Sequence, residues 1–312
     1  DWIHAFEGRF LRLPSTTPKY PTSMAHLMGR PQAWAETFAA SGWGMTPRDM
    51  RRLVNWEHVN GISMQIPICY KYSLRGGDRG QFYVPGISYQ QPYWDHIRGF
   101  TEYEARMCTL AGGGGHAAQI ALAYPEVDIW MHCWEHALLN ERSEAYNRLG
   151  DALRLAGYDY DILDDEAFLS FSHVENGQVV TPTEHFDVVV MPGVDGARRA
   201  MIACLLDLAS GGGTVLFVER LPRHSFEGGG GDPELAALLE RLLGTSRAPS
   251  KPVWKLFPGG GRAGFAPTVE DASGMLAEAV APDLDVEDKA PLVAFHRRLD
   301  DGHLYLIFNY SA

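Results

Sequence analysis

Residues 25–72 read AHLMGRPQAWAETFAASGWGMTPRDMRRLVNWEHVNGISMQIPICYKY, and the fold class turns on them. Gln32 to Thr37 is a short apolar run ending in a polar turn, as a buried parallel strand does. Thr46 before Pro47 is a helix N-cap with proline at the first helical position, and Asp49 falls in the first turn. Met50, Leu53, Val54 and Val59 give that helix an apolar stripe, and Asn60-Gly61 ends it. Ile62 to Tyr70 is a second buried strand. Strand, helix and strand in that order make a βαβ unit, which predicts a parallel sheet or barrel with its chemistry at the carboxyl ends of the strands. One acid, Glu36, stands where the first strand stops.

Upstream, residues 1–23 hold Trp2, Ile3, Phe6, Phe10 and Leu11, then Pro14, Pro18 and Pro21, and read as loop with at most one short strand. Downstream, from Gln91, the chain turns aromatic and helical, with Phe100, Tyr103, Met107 and Leu110 at helical spacing until Gly112 to Gly115 stop it. A domain boundary is expected there. A new alternation follows at once. Gln119 to Tyr124, Tyr158 to Leu163, Phe186 to Met191 and Thr214 to Glu219 read as strands, interleaved with helices over Ala145 to Ala156 and Ala197 to Ala209. A polar, hairpin-like insert runs through Pro182. Strands and helices alternating at short intervals predict a doubly wound open sheet of flavodoxin-like type. Glycine runs at Gly228 and Gly259 flank a helix over Pro233 to Leu243, and Leu292 to Asn309 is a β-hairpin about Asp300-Asp301-Gly302. The domains expected are thus residues 1–115, 116–250 and 251–312, the last a linker and the first strands of a β-sandwich.

The 312 residues suffice for two ordinary cores. Hydrophobic residues at 46% and charged residues at 21% mark a globular chain. With 27 Lys plus Arg against 39 Asp plus Glu, the net charge of -12 repels nucleic acid and anionic membranes and suits a neutral partner. Cys69, Cys108, Cys133 and Cys204 lie far apart with no C-x-x-C pair, as buried thiols do. The chain opens at Asp1 without a leader and ends on a strand pattern, GHLYLIFNYSA, so a fragment cut at both ends is expected.

Four constellations compete for the chemistry. The glycines at 112–115 and 211–213 follow helices and precede strands, the reverse of a phosphate loop, and read as helix stops. His132-Cys133-Trp134-Glu135-His136 fits H-x-x-E-H, a zinc-hydrolase pattern, but with 12 His in the chain a five-residue match is cheap, and an aromatic helix or loop is preferred. An amidotransferase nucleophile would sit in the turn Pro192-Gly193-Val194-Asp195, which has no Cys, while Cys204 falls mid-helix. Glu36 remains. Carboxylates that break glycosidic bonds work in pairs, among aromatics that stack on sugar faces. Trp34 and Phe38 flank Glu36, Tyr70 and Tyr72 close the next strand, and Trp94 lies just beyond. The plain alternative is a salt-bridged acid at a strand end.

AHLMGRPQAWAETF, then GWGMTPRDMRRLVNWEHVNGIS and WDHIRGFTEYEARMCTLAGGG, resemble the closing segment of the (β/α)8 barrel of large multidomain glycoside hydrolases, and are most similar to family 106, the α-L-rhamnosidases. The order of segments carries the resemblance across most of the chain, and family 42 β-galactosidases share a comparable order. The resemblance implies the C-terminal part of a (β/α)8 barrel, then a doubly wound domain like a class I glutamine amidotransferase without its catalytic Cys, then the start of a β-sandwich. It makes Gln32 to Thr37 barrel strand seven and Ile62 to Tyr70 strand eight, and puts Glu36 where related barrels carry the nucleophile or general base. His26, Trp34, Tyr70, Tyr72 and Trp94 would line the sugar pocket. The general acid of such barrels lies on strand four, which this chain does not contain. A glycoside or oligosaccharide substrate is implied, with no organic cofactor; family members use calcium, but no loop here identifies its ligands. The competing reading is a non-catalytic carbohydrate-binding or oligomerisation module.

Overall fold

The computed structural model describes residues 14–39, 41–76, 87–286 and 290–310. Its first part is a βαβ unit preceded by a helix: α1 (Thr16–Leu27), β1 (Trp34–Thr37), α2 (Pro47–Val59) and β2 (Met64–Pro67). The strands pair in parallel with Glu36 opposite Ile66. α2 starts where expected because Thr46 and Asp49 form a reciprocal capping box ahead of Pro47. A short 3-10 turn (Trp94–His96) leads into α3 (Ile97–Gly112). Phe100 and Tyr103 of α3 pack on Phe38, Met50, Leu53 and Val54.

After the two-residue β3 (Gly115–His116) come β4 (Ile120–Ala123), α4 (Glu126–His132), α5 (His136–Leu155), β5 (Tyr160–Leu163) and α6 (Asp165–Ser170). The polar insert is a small antiparallel sheet of β6 (His173–Glu175), β7 (Gln178–Val180) and β8 (His185–Phe186). Then follow β9 (Val188–Met191), β10 (Gly196–Ala197), α7 (Arg199–Ser210), β11 (Thr214–Val218), β12 (His224–Ser225), β13 (Gly229–Gly230) and α8 (Pro233–Leu243). β14 (Val253–Leu256), β15 (Arg262–Ala266), α9 (Val269–Ala277) and the hairpin of β16 (Leu292–Leu299) and β17 (Gly302–Asn309) complete the chain.

The main sheet runs β14-β15-β11-β9-β4-β5. Its five parallel strands, counted along the chain, lie in the order 2-1-3-4-5 from the β5 edge, a doubly wound arrangement. Alternate residues feed opposite faces. Ala121, Val189, Val215 and Phe265 meet α7 and α8 on one side. Ile120, Val190, Leu216 and Ala266 meet α5 and α9 on the other. The inner strands β4 and β9 are apolar on both faces because helices cover both.

Two expectations need correction, the domain boundary with its linker at residue 250 and the loop over residues 1–23. The sheet runs past residue 250, because Val253–Leu256 and Arg262–Ala266 are its outer strands. The glycines between them form a tight turn, not a linker: a side chain at Gly261 would strike the Ala209 and Gly213 carbonyls. The hairpin of β16 and β17 joins β3 antiparallel and buries Val293, Phe295 and Leu306 against Val59 and Ala111, so it covers the first unit. Finally, residues 16–27 form a helix despite Pro18 and Pro21. Its buried Lys19 and Ser23 bond Asp159 and Asp161, tertiary contacts that override local propensity. Residues 1–13 of that expected loop lie outside the described residues. None of the described helices is long and apolar enough to cross a membrane.

Candidate active site

Strand alternation divides β1 by function. Ala35 and Thr37 point inward and are buried, whereas Trp34 and Glu36 share the outer face. Trp34 is 55% exposed. Opposite, Ile66 is in register with Glu36 and extends that open face on β2. Beyond the strand, Tyr70 is 64% exposed and meets the Trp94 ring edge to face at 6.4 Å. Tyr72 is 91% exposed, and its carbonyl accepts a hydrogen bond from the Tyr89 hydroxyl. The structure therefore sets Trp34 beside Glu36 on one strand face and couples Tyr70 to Trp94.

Behind Glu36 stands an acid the sequence reading missed. Glu57 of α2 is fully buried, and its carboxyl accepts from the Thr37 hydroxyl at 3.0 Å. Burial pushes its pKa up to about 8. The strand end that carries Glu36 is thus tied, one residue on, to the helix behind it. Spacing offered a signal: Glu57 lies next to the apolar stripe of α2, where an acid needs a buried partner.

His26 does not line that open face. Its side chain is 8% exposed, Nδ1 lies 3.1 Å from both Asp161 oxygens, and its ring stacks on His116 at 4.3 Å and on Phe295 at 6.1 Å. α1 packs against β5, which turns His26 inward. It belongs to a buried ion network. Lys19 Nζ and Arg154 Nη1 each sit 2.5 Å from Asp159 Oδ1. His116 bridges Asp159 Oδ2 at 3.0 Å and Asp161 Oδ2 at 2.8 Å, with Glu184 at 3.1 Å. Arg154 also donates to the Val59 carbonyl at the end of α2. The network fastens α1 and α2 to the main sheet.

These groups give stability a pH dependence. Burial, then the Asp161 charge, pushes Glu184 up to about 8. Burial lowers His116, but Asp161 and Asp159 outweigh it and hold the imidazole well above its ordinary value. Both folded values are raised, so the folded state binds more protons than the unfolded one, and this stabilisation is lost as pH rises toward and through the folded values. His26 is lowered to about 4, chiefly by burial, and works the other way: its contribution is complete above about 6.5 and is lost only as pH falls toward 4. The urea midpoint of the purified protein should therefore fall between pH 6.5 and 8.5. Glu184→Gln, which cannot ionise, should lose less over that interval; equal declines in the two proteins would contradict the assignment.

The other clusters do not act as the sequence patterns suggested. His132 ends α4 and His136 begins α5, so they share no helix face, and His136 is exposed. His132 instead faces Asp128 and Asp195, whose charges Arg142 already meets. Cys204 lies within α7, its thiol pushed up to about 11 by burial. Calcium takes six to eight oxygen ligands. Among the described residues the three groups close enough to hold an ion all include histidine, and none offers such an oxygen shell.

With this geometry in view, the model of glycoside hydrolase family 106, described as alpha-L-rhamnosidase, matches residues 13–312. The chain belongs to glycoside hydrolase family 106. A curated protein of Formosa agariphila, provisionally named a beta-glucuronidase, is 23% identical to this family 106 chain over 300 residues, covering 94% of the chain and 23% of that protein. Among solved structures, the rhamnosidase of Novosphingobium sp. PP1Y matches with a TM-score of 0.66 and 21% identity, covering 93% of the chain and 27% of the rhamnosidase. The cold-adapted β-galactosidase of Rahnella sp. R3 matches with a TM-score of 0.65 and 14% identity, over 98% of the chain and 55% of that enzyme. At such identities the two structures speak for the fold. The family 106 chain spans about a quarter of the curated relative and of the rhamnosidase.

Proposed function

We propose that this chain contributes part of the active site of a glycosidase in which Glu36 is one of two catalytic carboxylates. One carboxyl group protonates the leaving oxygen; the other, Glu36, attacks the anomeric carbon or deprotonates the water that does. The observation that carries this is the placement of an exposed Glu36 at the carboxyl end of a parallel strand, on one face with Trp34. Family membership supports terminal α-L-rhamnosides as the substrate class. Trp34, Tyr70, Tyr72 and Trp94 supply apolar faces for sugar rings.

The same reading makes β1 and β2 the seventh and eighth strands of a (β/α)8 barrel. The strand order of the main sheet supports a flavodoxin-like, amidotransferase-like domain behind it, and the β16–β17 hairpin would open a β-sandwich.

The test is hydrolysis of a panel of aryl glycosides, α-L-rhamnoside included, by the protein at its full encoded length. Trp34→Ala should raise KM roughly tenfold with little change in kcat, because a stacking face serves ground and transition states alike. Hydrolysis of no member of the panel would end the glycosidase reading, and sugar binding without turnover would favour a carbohydrate-binding module.

A further inference from the structure

On the buried side of the strand pair, away from Glu36, three side chains of different chemistry converge. His58, at the C-terminal end of α2, is fully buried. Its Nδ1 lies 2.8 Å from the Ile62 carbonyl, which fixes that nitrogen as the donor and leaves Nε2 with a free lone pair. Nε2 has no hydrogen-bond partner, although Glu104 Oε1 is 3.3 Å away. With the imidazole neutral, two acceptors face each other in a buried place, which calls for a proton or a metal cation between them. Glu104 and Cys108 stand one turn apart on α3, and Cys108 Sγ lies 3.6 Å from the same Glu104 oxygen. The second Glu104 oxygen is buried and unpartnered as well. Gln65 of β2 turns its Oε1 toward the sulfur, also at 3.6 Å.

These spacings have a metal's dimensions. Tetrahedral zinc, with bonds of ~2.0 Å to nitrogen or oxygen and ~2.3 Å to sulfur, sets ligand atoms about 3.3–3.6 Å apart. A backbone carbonyl accepting from the far ring nitrogen is the usual support of a ligating histidine. Imidazole, carboxylate and thiolate together suit zinc better than the hard cations.

We propose that His58 Nε2, Glu104 and Cys108 Sγ form a zinc site, with Gln65 Oε1 facing the fourth position, that staples α2 and α3 to the back of β2. Zinc takes the place of the thiol proton that Cys108 otherwise gives to Glu104. The two other clusters lack this character. Both ring nitrogens of His116 already meet carboxylates, with Lys19 and Arg154 supplying cations, and Arg142 fills the same role between Asp128 and Asp195. The site lies on the face opposite Glu36, so its role is structural and its test does not depend on the glycosidase reading.

The purified protein, stripped with a chelator, is titrated with zinc ion and, separately, with cobalt(II). One zinc per chain is expected, with a higher urea midpoint once loaded. Cobalt should give a thiolate-to-metal charge-transfer band. Glu104→Gln and Cys108→Ser should each bind zinc at least about tenfold more weakly, since loss of even an outer-shell partner costs that much, and Cys108→Ser should lose the cobalt band. No stoichiometric zinc uptake would overturn the proposal and leave a plain His58–Glu104 ion pair. Unchanged zinc affinity in both variants, or a cobalt band that survives Cys108→Ser, would overturn it too. The wild-type stoichiometry and cobalt spectrum decide the matter even if a variant fails to fold.

Discussion

Replacing Asp159 by Asn lowers the unfolding free energy by about 3–5 kcal/mol, the usual cost of removing one partner from a buried ion pair. Asp159 and Lys19 are fully buried, and Arg154 and His116 nearly so, with all three cationic groups directed at the one carboxylate. An amide keeps the shape but supplies no charge, and its NH2 group must face a donor. Lys19 and Arg154 then lose their shared counter-ion, and Lys19 is left over the Tyr160 and Phe295 rings. The loss concentrates at the seam between the strand–helix–strand unit and the main sheet, because Lys19 belongs to α1 and Arg154 also holds the Val59 carbonyl. Lys19→Met alone should cost less, since Arg154 and His116 still neutralise Asp159. The double variant should cost less than the sum of the two, as coupled residues do. Urea unfolding of the three proteins measures this. A loss under about 1 kcal/mol for Asp159→Asn would mean that water or rearranged side chains replace the network.

That seam separates what the sequence discloses from what it hides. The first strand, its helix and the second strand announce themselves locally: a cap at Thr46, proline at 47, an apolar stripe and an Asn60-Gly61 stop, all within thirty residues. α8 shows the same economy, with Asp232 capping Pro233 and Gly244 closing the helix in a left-handed turn. α1 has no such signature. Its polar face and two prolines make sense only against Asp159 and Asp161, some 140 positions away, so no local window could call for a helix. His26 misleads for the same reason: its neighbours in sequence lead to a strand end, but His116 and Phe295 bury its ring. One clue was legible. Asp159 and Asp161 sit two apart around a strand that is otherwise apolar, which puts both carboxylates on one buried face and demands cations there. The outer strands β14 and β15 escaped because glycines that fit a close approach look in sequence like those of a flexible loop.

Glu36→Gln, in the protein at its full encoded length, should lower kcat by about 10²–10⁴-fold while leaving KM within a few-fold, the range expected when a positioned proton-transfer group is lost. The substitution is a clean one. Glu36 is exposed, and among the described residues it makes no hydrogen bond or ion pair, so the amide disturbs no packing. The neighbouring Thr37 keeps its bond to Glu57 and holds the strand end in place. If Glu36 were only a solvated strand-end acid, the variant would turn over aryl glycosides at the wild-type rate, and that outcome would remove it from the mechanism. Glu36→Asp separates charge from position. It keeps the carboxylate but withdraws it by one methylene, and a displacement of about 1 Å can alone cost 10²-fold. A large loss in both variants therefore marks a group whose placement matters as much as its charge, as a nucleophile's does. The anomeric configuration of the product then divides the remaining roles. Retention requires Glu36 to attack the sugar with its partner carboxyl ~5 Å away, whereas inversion requires room for water and a separation of roughly 6.5–9.5 Å.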